Sequence, residues 1–247
     1  MKNRWKWQLF LGLGLIFLSA FVYFVHYLIF RDMHHIFIYL IGDIGFVFLE
    51  VLLVTLIIHQ LLVQREKQML IKKLNMVIGV FFSEVGTNLL KQIAAFDKRV
   101  KDISNHLLVS NDWTNKEFSR LKKYLYRYDS DIAISRAGLE ELRNTLVTKR
   151  TFLVNLLENP NLLEHDSFTD TLWAVFHLAE ELSKRNNFAD LPQTDLEHLA
   201  KDIKRSYQNL IGEWIDYTEH LKQSYPYLFS LAIRTNPFDK SASVVIS

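Results

Sequence analysis

The sequence predicts an all-α protein: a two-helix transmembrane hairpin followed by a cytoplasmic helical bundle. Three observations carry that reading. Two long apolar runs occupy the first 63 residues. Beyond them, apolar side chains recur in steps of three and four, the helical period, with no sustained alternation of period two. Helix breakers are scarce: the prolines stand only at positions 160, 192, 226 and 237.

The first run, Leu9 to Phe30, has no charged residue over 22 positions. A hydrocarbon core of ~30 Å needs ~20 helical residues, so the run can span a bilayer as a helix of about 8–30. Trp5, Trp7, Tyr23 and Tyr27 lie towards its ends, where interfacial aromatics collect. Lys2, Arg4 and Lys6 give it a basic start like that of a signal peptide. The run is far longer than the ~7–15 residues of a signal core, and Leu18-Ser19-Ala20 is a poor cleavage site, so a retained helix is expected.

The second run extends from Ile36 to about Val63, with its membrane helix at about 36–60. The five-residue link Arg31–His35 predicts an antiparallel hairpin. Lys2, Arg4 and Lys6 precede the first helix, Arg65, Lys67, Lys72 and Lys73 follow the second, and the link holds only Arg31. The positive-inside rule then places both termini in the cytoplasm, at the plasma (inner) membrane of a prokaryote. Asp43 and Glu50, seven residues apart, share one helix face inside the second run, and His26 is near enough in the hairpin to approach Asp43. Intramembrane carboxylates cost roughly 3 kcal/mol each unless they face protein or water. They point either to an ion or proton site or to polar contacts between copies.

Residues 64–235 read as the bundle. One apolar stripe continues from the second run: Leu70, Leu74, Val77, Phe81, Val85, Leu89, Ile93, Phe96, Val100, Ile103 and Leu107. A break is expected near Gly79 or Gly86, and Met76–Phe82, apolar on every side, is expected in the core. Thr114-x-x-Glu117 predicts a capping box opening a helix to about Tyr128. Tyr124, Tyr126 and Tyr128, with Arg120, Lys122, Lys123 and Arg127, form a basic-aromatic stretch suited to a solvated face or to anionic headgroups. A helix from about Ser135 to Glu158 ends at Asn159-Pro160. The next two are expected to be capped by Ser167-x-x-Asp170 and Thr194-x-x-Glu197. Ser224-Tyr225-Pro226 stops the last long helix, Tyr227–Ile233 adds a short one, and residues 236–247 are expected to be a disordered tail.

Chemistry is sparsely signalled. The absence of cysteine removes disulfides, thiolate metal sites and thiol nucleophiles. Residues 64–247 hold 25 basic and 24 acidic side chains, which argues against nucleic-acid binding. No phosphate-binding Gly loop, His-Glu-x-x-His or Gly-x-Ser-x-Gly pattern occurs. His177 and Glu181 (i, i+4), with His198, are the metal-ligand candidates, although the Glu-x-x-His repeats of di-iron bundles are missing. No cofactor is expected.

Leu74–Gly86, Asn159–Leu182 and Tyr225–Asp239, together with the hairpin segment Ile36–Gln60, make the chain resemble a family of uncharacterised prokaryotic two-pass membrane proteins. The resemblance implies the same layout and no particular activity, cofactor, partner or site residue. The expectation is therefore a membrane-anchored interaction, scaffold or signal-relay module without catalytic activity. Its partners would be the lipid bilayer, further copies of itself and a protein partner of unknown identity. The alternatives are an oligomeric ion or proton conductor using Asp43 and Glu50, and a metal-dependent helical-bundle enzyme around His177, Glu181 and His198.

Overall fold

The computed structural model describes residues 2–160, 162 and 165–245, with side chains from residue 10 onward. The side chains of Lys2, Arg4, Trp5, Lys6 and Trp7, and residues 246–247 of the predicted tail, lie outside the described residues. Among those described, every regular element is helical, and the one β contact is an isolated antiparallel bridge between Asp97 and Ile132. The chain divides into two compact units, one up to Lys67 and one from Gln68.

The first unit contains α1 (Lys2–Phe30) and most of α2 (Met33–Phe81). Both helices are long and apolar enough to cross a membrane. They are joined by Arg31 and Asp32 alone. Arg31 adopts a left-handed backbone (φ 46°), and the Asp32 carboxylate caps α2 by accepting from the backbone N–H groups of His34 and His35. The five-residue link predicts an antiparallel hairpin, and the helices are in fact separated by two residues only. Partial burial in this unit falls mainly near the turn, at residues such as Val25, His26, Ile36 and Leu40. From Ile41 to Val63, every side chain is exposed.

The second unit begins within α2 and continues through α3 (Thr87–Ala94), α4 (Val100–Ser104), α5 (Asn115–Leu125), α6 (Arg136–Thr148), α7 (Arg150–Leu157), α8 (Asp166–Ser183), α9 (Gln193–Ser224) and α10 (Pro226–Arg234). The predicted stripe is its core: Leu74, Phe81, Val85, Leu89, Ile93, Phe96, Ile103 and Leu107 are all buried. α9 is the central helix, packed on α8, α10, α3 and α5. It buries Leu199, Ile203, Tyr207, Leu210, Trp214 and Leu221, spaced by three and four along one face.

The expected break falls at Phe82–Gly86, where one π-helical turn separates α2 from α3. The extra residue is accommodated because Phe82 O accepts from both the backbone N–H and the hydroxyl of Thr87 (Oγ1–O 2.9 Å). Phe81 and Phe82 thereby both point inward, where their rings meet edge to face 5.3 Å apart. Phe81 also packs on Phe168, and Phe82 stacks on Tyr217. Gly86 is required by space: a Cβ there would lie 2.6 Å from Phe82 Cδ1 and 2.8 Å from Phe81 Cε1. Because both rings are buried, Gly86→Ala is expected to cost about 1–3 kcal/mol, read as a lowered denaturant midpoint. An unchanged midpoint would mean that the π turn is not held as described.

Several boundaries differ from expectation. Met76–Phe82 is only partly core: Ile78, Phe81 and Phe82 are buried, while Met76 and Val80 are exposed. The helix expected over Ser135–Glu158 is broken at Lys149 (φ −95°, ψ 6°), after the β-branched pair Val147-Thr148. α8 is capped by His165 Nδ1, which accepts from Phe168 N–H, not by Ser167. α9 starts one residue before Thr194, behind Pro192 and without a side-chain cap. The Thr114/Glu117 capping box forms as expected.

The tail is also corrected in part. Asn236 Nδ2 donates to Leu107 O (2.8 Å), and its Oδ1 accepts from Phe238 N–H (2.9 Å). Phe238 packs edge to face on Trp214 at 5.7 Å. Both residues are buried, so the ordered bundle extends past residue 235.

Candidate functional site

His26, Asp43 and Glu50 do not assemble with one another among the described residues. The His26 ring stacks on His35 at 5.9 Å and touches Phe30 at 4.7 Å, which directs it to the turn and away from Asp43. His35 in turn meets Tyr39. Asp43 and Glu50 are exposed on α2 and have no hydrogen bond or ion pair to any described residue.

The basic-aromatic stretch is reduced as well. Tyr128 turns inward, and its hydroxyl donates to Asp97 Oδ2 (2.5 Å). Burial and that carboxylate push its pKa above the usual tyrosine range. Lys122 is held between Asp216 and Glu219, 2.5 Å from each. Tyr126, Arg120, Lys123 and Arg127 remain at the surface, a solvated face. Glu84 is paired with Lys149 (3.0 Å).

The histidines of α8 and α9 do assemble. The two helices run antiparallel, as their cross-links show: Arg185 to Asp195 near one end, and Ser206 Oγ to Ala174 O further along. In that register His177 of α8 faces Asp202 of α9, and Glu181 faces His198. His177 Nε2 lies 3.4 Å from Asp202 Oδ2, and His198 Nε2 lies 3.3 Å from the same oxygen. Glu181 stands slightly outside, its Oε2 3.6 Å from His198 Nε2 and its Oε1 4.0 Å from His177 Nε2. The ligand-capable atoms of His177, His198 and Asp202 all lie within 4.8 Å of one another.

Burial divides this cluster. The two imidazoles are about half exposed, at 45% and 50%, whereas the Asp202 side chain is 4% exposed. Asp202 Oδ2 is buried and accepts no hydrogen bond. Arg185 fixes the flank: it forks onto both Asp195 oxygens (2.6 and 2.8 Å) and also binds Glu181 Oε2 (2.8 Å). That guanidinium holds the Glu181 and Asp195 carboxyls below their usual pKa values. Arg205 approaches the other Asp202 oxygen at 3.7 Å.

Asp202 was not among the sequence candidates. Its signal is the repeated spacing: His177-x-x-x-Glu181 on α8 and His198-x-x-x-Asp202 on α9, an i, i+4 pair on each of two facing helices.

Comparison with known proteins gives concordant matches. Residues 70–234 match a family described as "Uncharacterized protein MJ1433, C-terminal helical domain", and residues 2–62 match "MJ1433, N-terminal helical domain". The chain belongs to the MJ1433 family. It is 46% identical over 243 residues to the uncharacterized protein MJ1433 of Methanocaldococcus jannaschii, covering 98% of each chain. No solved structure matches. The two family segments lie on either side of residues 63–69, the part of α2 that contains the division between the compact units. His177, Glu181, His198 and Asp202 all fall within the C-terminal family segment.

Proposed function

We propose that this protein is a membrane-anchored helical module that works by binding, and that its hairpin associates with further copies of itself. The observation that supports this is the state of α1 and α2. Both are apolar, both are exposed over most of their described length, and within its apolar stretch α2 carries Asp43 and Glu50, which have no hydrogen bond or ion pair among the described residues. Lipid can cover the apolar surface but not Asp43 and Glu50, each of which costs roughly 3 kcal/mol in hydrocarbon. Facing the α2 helices of two copies would shield the carboxylates and let a protonated one donate to its neighbour.

The positive-inside distribution supports a topology with both termini and the bundle on the cytoplasmic side of the plasma membrane. Because the chain has no cysteine, single-cysteine labelling reads this directly. In intact cells, Met33→Cys at the turn should react with an impermeant maleimide, while Ser243→Cys should react only after lysis. The reverse pattern would overturn the topology. Self-association is read by light scattering of the full chain in mild detergent. The wild type should form dimers or larger assemblies, and Asp43→Asn with Glu50→Gln should shift the population towards monomer. A monomeric wild type would end this reading.

A further inference from the structure

We propose that His177, His198 and Asp202 bind a divalent transition-metal ion, zinc in first preference, across the α8–α9 pair, with Glu181 beside the remaining coordination position. The decisive feature is the orphaned oxygen. Asp202 Oδ2 is buried without a hydrogen bond, yet two imidazole Nε2 atoms converge on it at 3.3 and 3.4 Å. An N–H to oxygen hydrogen bond has its usual distance at about 2.9–3.0 Å, so neither contact is a good one. A buried carboxylate oxygen left this way is costly, and a shared cation is the partner that satisfies it together with both imidazoles.

The two imidazole–carboxylate distances are compatible with a four-coordinate ion, and the three ligand atoms lie within 4.8 Å of one another, so the ion would draw them together as it binds. Ligands at about 2.0–2.1 Å from a tetrahedral zinc lie about 3.3–3.4 Å apart along each edge. An octahedral ion at the same bond length would bring neighbouring ligands to about 3.0 Å. The two imidazole–carboxylate edges, at 3.3 and 3.4 Å, are nearer the first value. Two imidazoles and one carboxylate also favour zinc and its first-row neighbours over magnesium or calcium, which prefer oxygen alone.

The surroundings fit a cation. Asp202 and Glu181 supply two negative charges. Arg185 is neutralised by its fork onto Asp195, and it holds the Glu181 carboxylate at the edge of the cluster. Arg205 lies 3.7 Å from Oδ1, leaving Oδ2 for the ion, and its side chain is 61% exposed and able to swing outward. Three protein ligands leave the fourth tetrahedral position on the solvent side, where the half-exposed imidazoles make the ion reachable without unfolding. The His-x-x-x-Glu/Asp spacing puts each pair on one face of its helix, and the antiparallel packing of α8 on α9 brings the two pairs together.

The test uses the full chain in detergent, stripped with a chelator and titrated calorimetrically with zinc chloride and, separately, magnesium chloride. One zinc per chain at micromolar affinity or tighter is expected, with no heat from magnesium. His177→Gln and His198→Gln should each weaken zinc binding by at least tenfold. At a zinc concentration about a hundredfold above Kd, the wild-type Tm should rise by about 5–10 °C, and the double variant should lose that rise. Both histidines are half exposed, so these variants are expected to fold even if Asp202→Asn does not, and circular dichroism checks that they do. Absence of stoichiometric zinc, equal binding of magnesium, or zinc binding unchanged in both histidine variants would each overturn the proposal.

Discussion

Replacing Asp97 by alanine is expected to destabilise the bundle by about 3–4 kcal/mol, lowering its Tm by about 10 °C in the full chain. Asp97 lies between α3 and α4, where the stripe stops being one helix, and it is 3% exposed. Its two oxygens accept from three donors: Oδ2 from the Tyr128 hydroxyl (2.5 Å), and Oδ1 from the backbone N–H groups of Arg99 (3.0 Å) and Asp131 (3.1 Å). Two backbone bonds complete the latch: Lys98 N–H to Asp131 O and Ala133 N–H to Phe96 O. Arg99 closes it from outside, its guanidinium 5.6 Å from the Tyr128 ring centre and donating to Asp129 O. The chain thus reverses at residues 95–99 and pins the segment after α5 without forming a sheet.

Alanine at position 97 would leave all three donors without their acceptor, and an orphaned buried donor costs about 1–3 kcal/mol. Water entering the space left by the carboxylate limits the total to the figure above. Asp97→Asn keeps one acceptor oxygen and should lose less. Tyr128→Phe removes one bond only and should cost about 1–2 kcal/mol. A double-mutant cycle between positions 97 and 128 should show coupling, because the two groups share a bond. A Tm for Asp97→Ala within 2 °C of wild type would show that the latch does not hold the bundle.

That latch marks how far the sequence could be read. The stripe from Leu70 to Leu107 was legible because burial follows apolar period whether or not the backbone stays helical. Eight of its eleven members are buried and the other three half-buried, even though a π turn and a reversal interrupt it. What period cannot reveal is a polar side chain buried by long-range contacts. Asp97 finds Tyr128 across 31 positions, and Asn236 finds Leu107 across 129. A capping box is local, so Thr114 and Glu117 were readable. The caps of α8 and α9 were not, because His165 and Pro192 were outcompeted on paper by nearby Ser-x-x-Asp and Thr-x-x-Glu patterns. The metal candidates were half legible for a similar reason. His177, Glu181 and His198 could be named from spacing on single helices. Asp202 joins them only through the antiparallel register of α8 and α9, which is a property of the packed pair.

The second large effect is expected at the C-terminus. Ending the chain after Thr235 should destabilise the bundle by about 4 kcal/mol, whereas ending it after Lys240 should change stability by no more than about 0.5 kcal/mol. The difference lies in two residues. Phe238 is 7% exposed and closes over Trp214, itself 2% exposed on the central helix, and removing a buried phenylalanine costs about 3–5 kcal/mol. Asn236 adds the bond to Leu107 O, which caps the end of the short 3-10 turn Asn105–Leu107, and one such bond contributes about 1 kcal/mol. Phe238→Ala alone should account for most of the loss, and with the ring absent the Trp214 emission should shift to the red as water reaches the indole. The apolar length of the tail gives no hint of this, since Phe238 is an isolated aromatic after a proline. Its importance comes from Asn236, which folds the backbone back through its own side chain onto Phe238 N–H and delivers the ring to Trp214. Equal stability of the two truncated chains would show that residues 236–239 contribute nothing to the core.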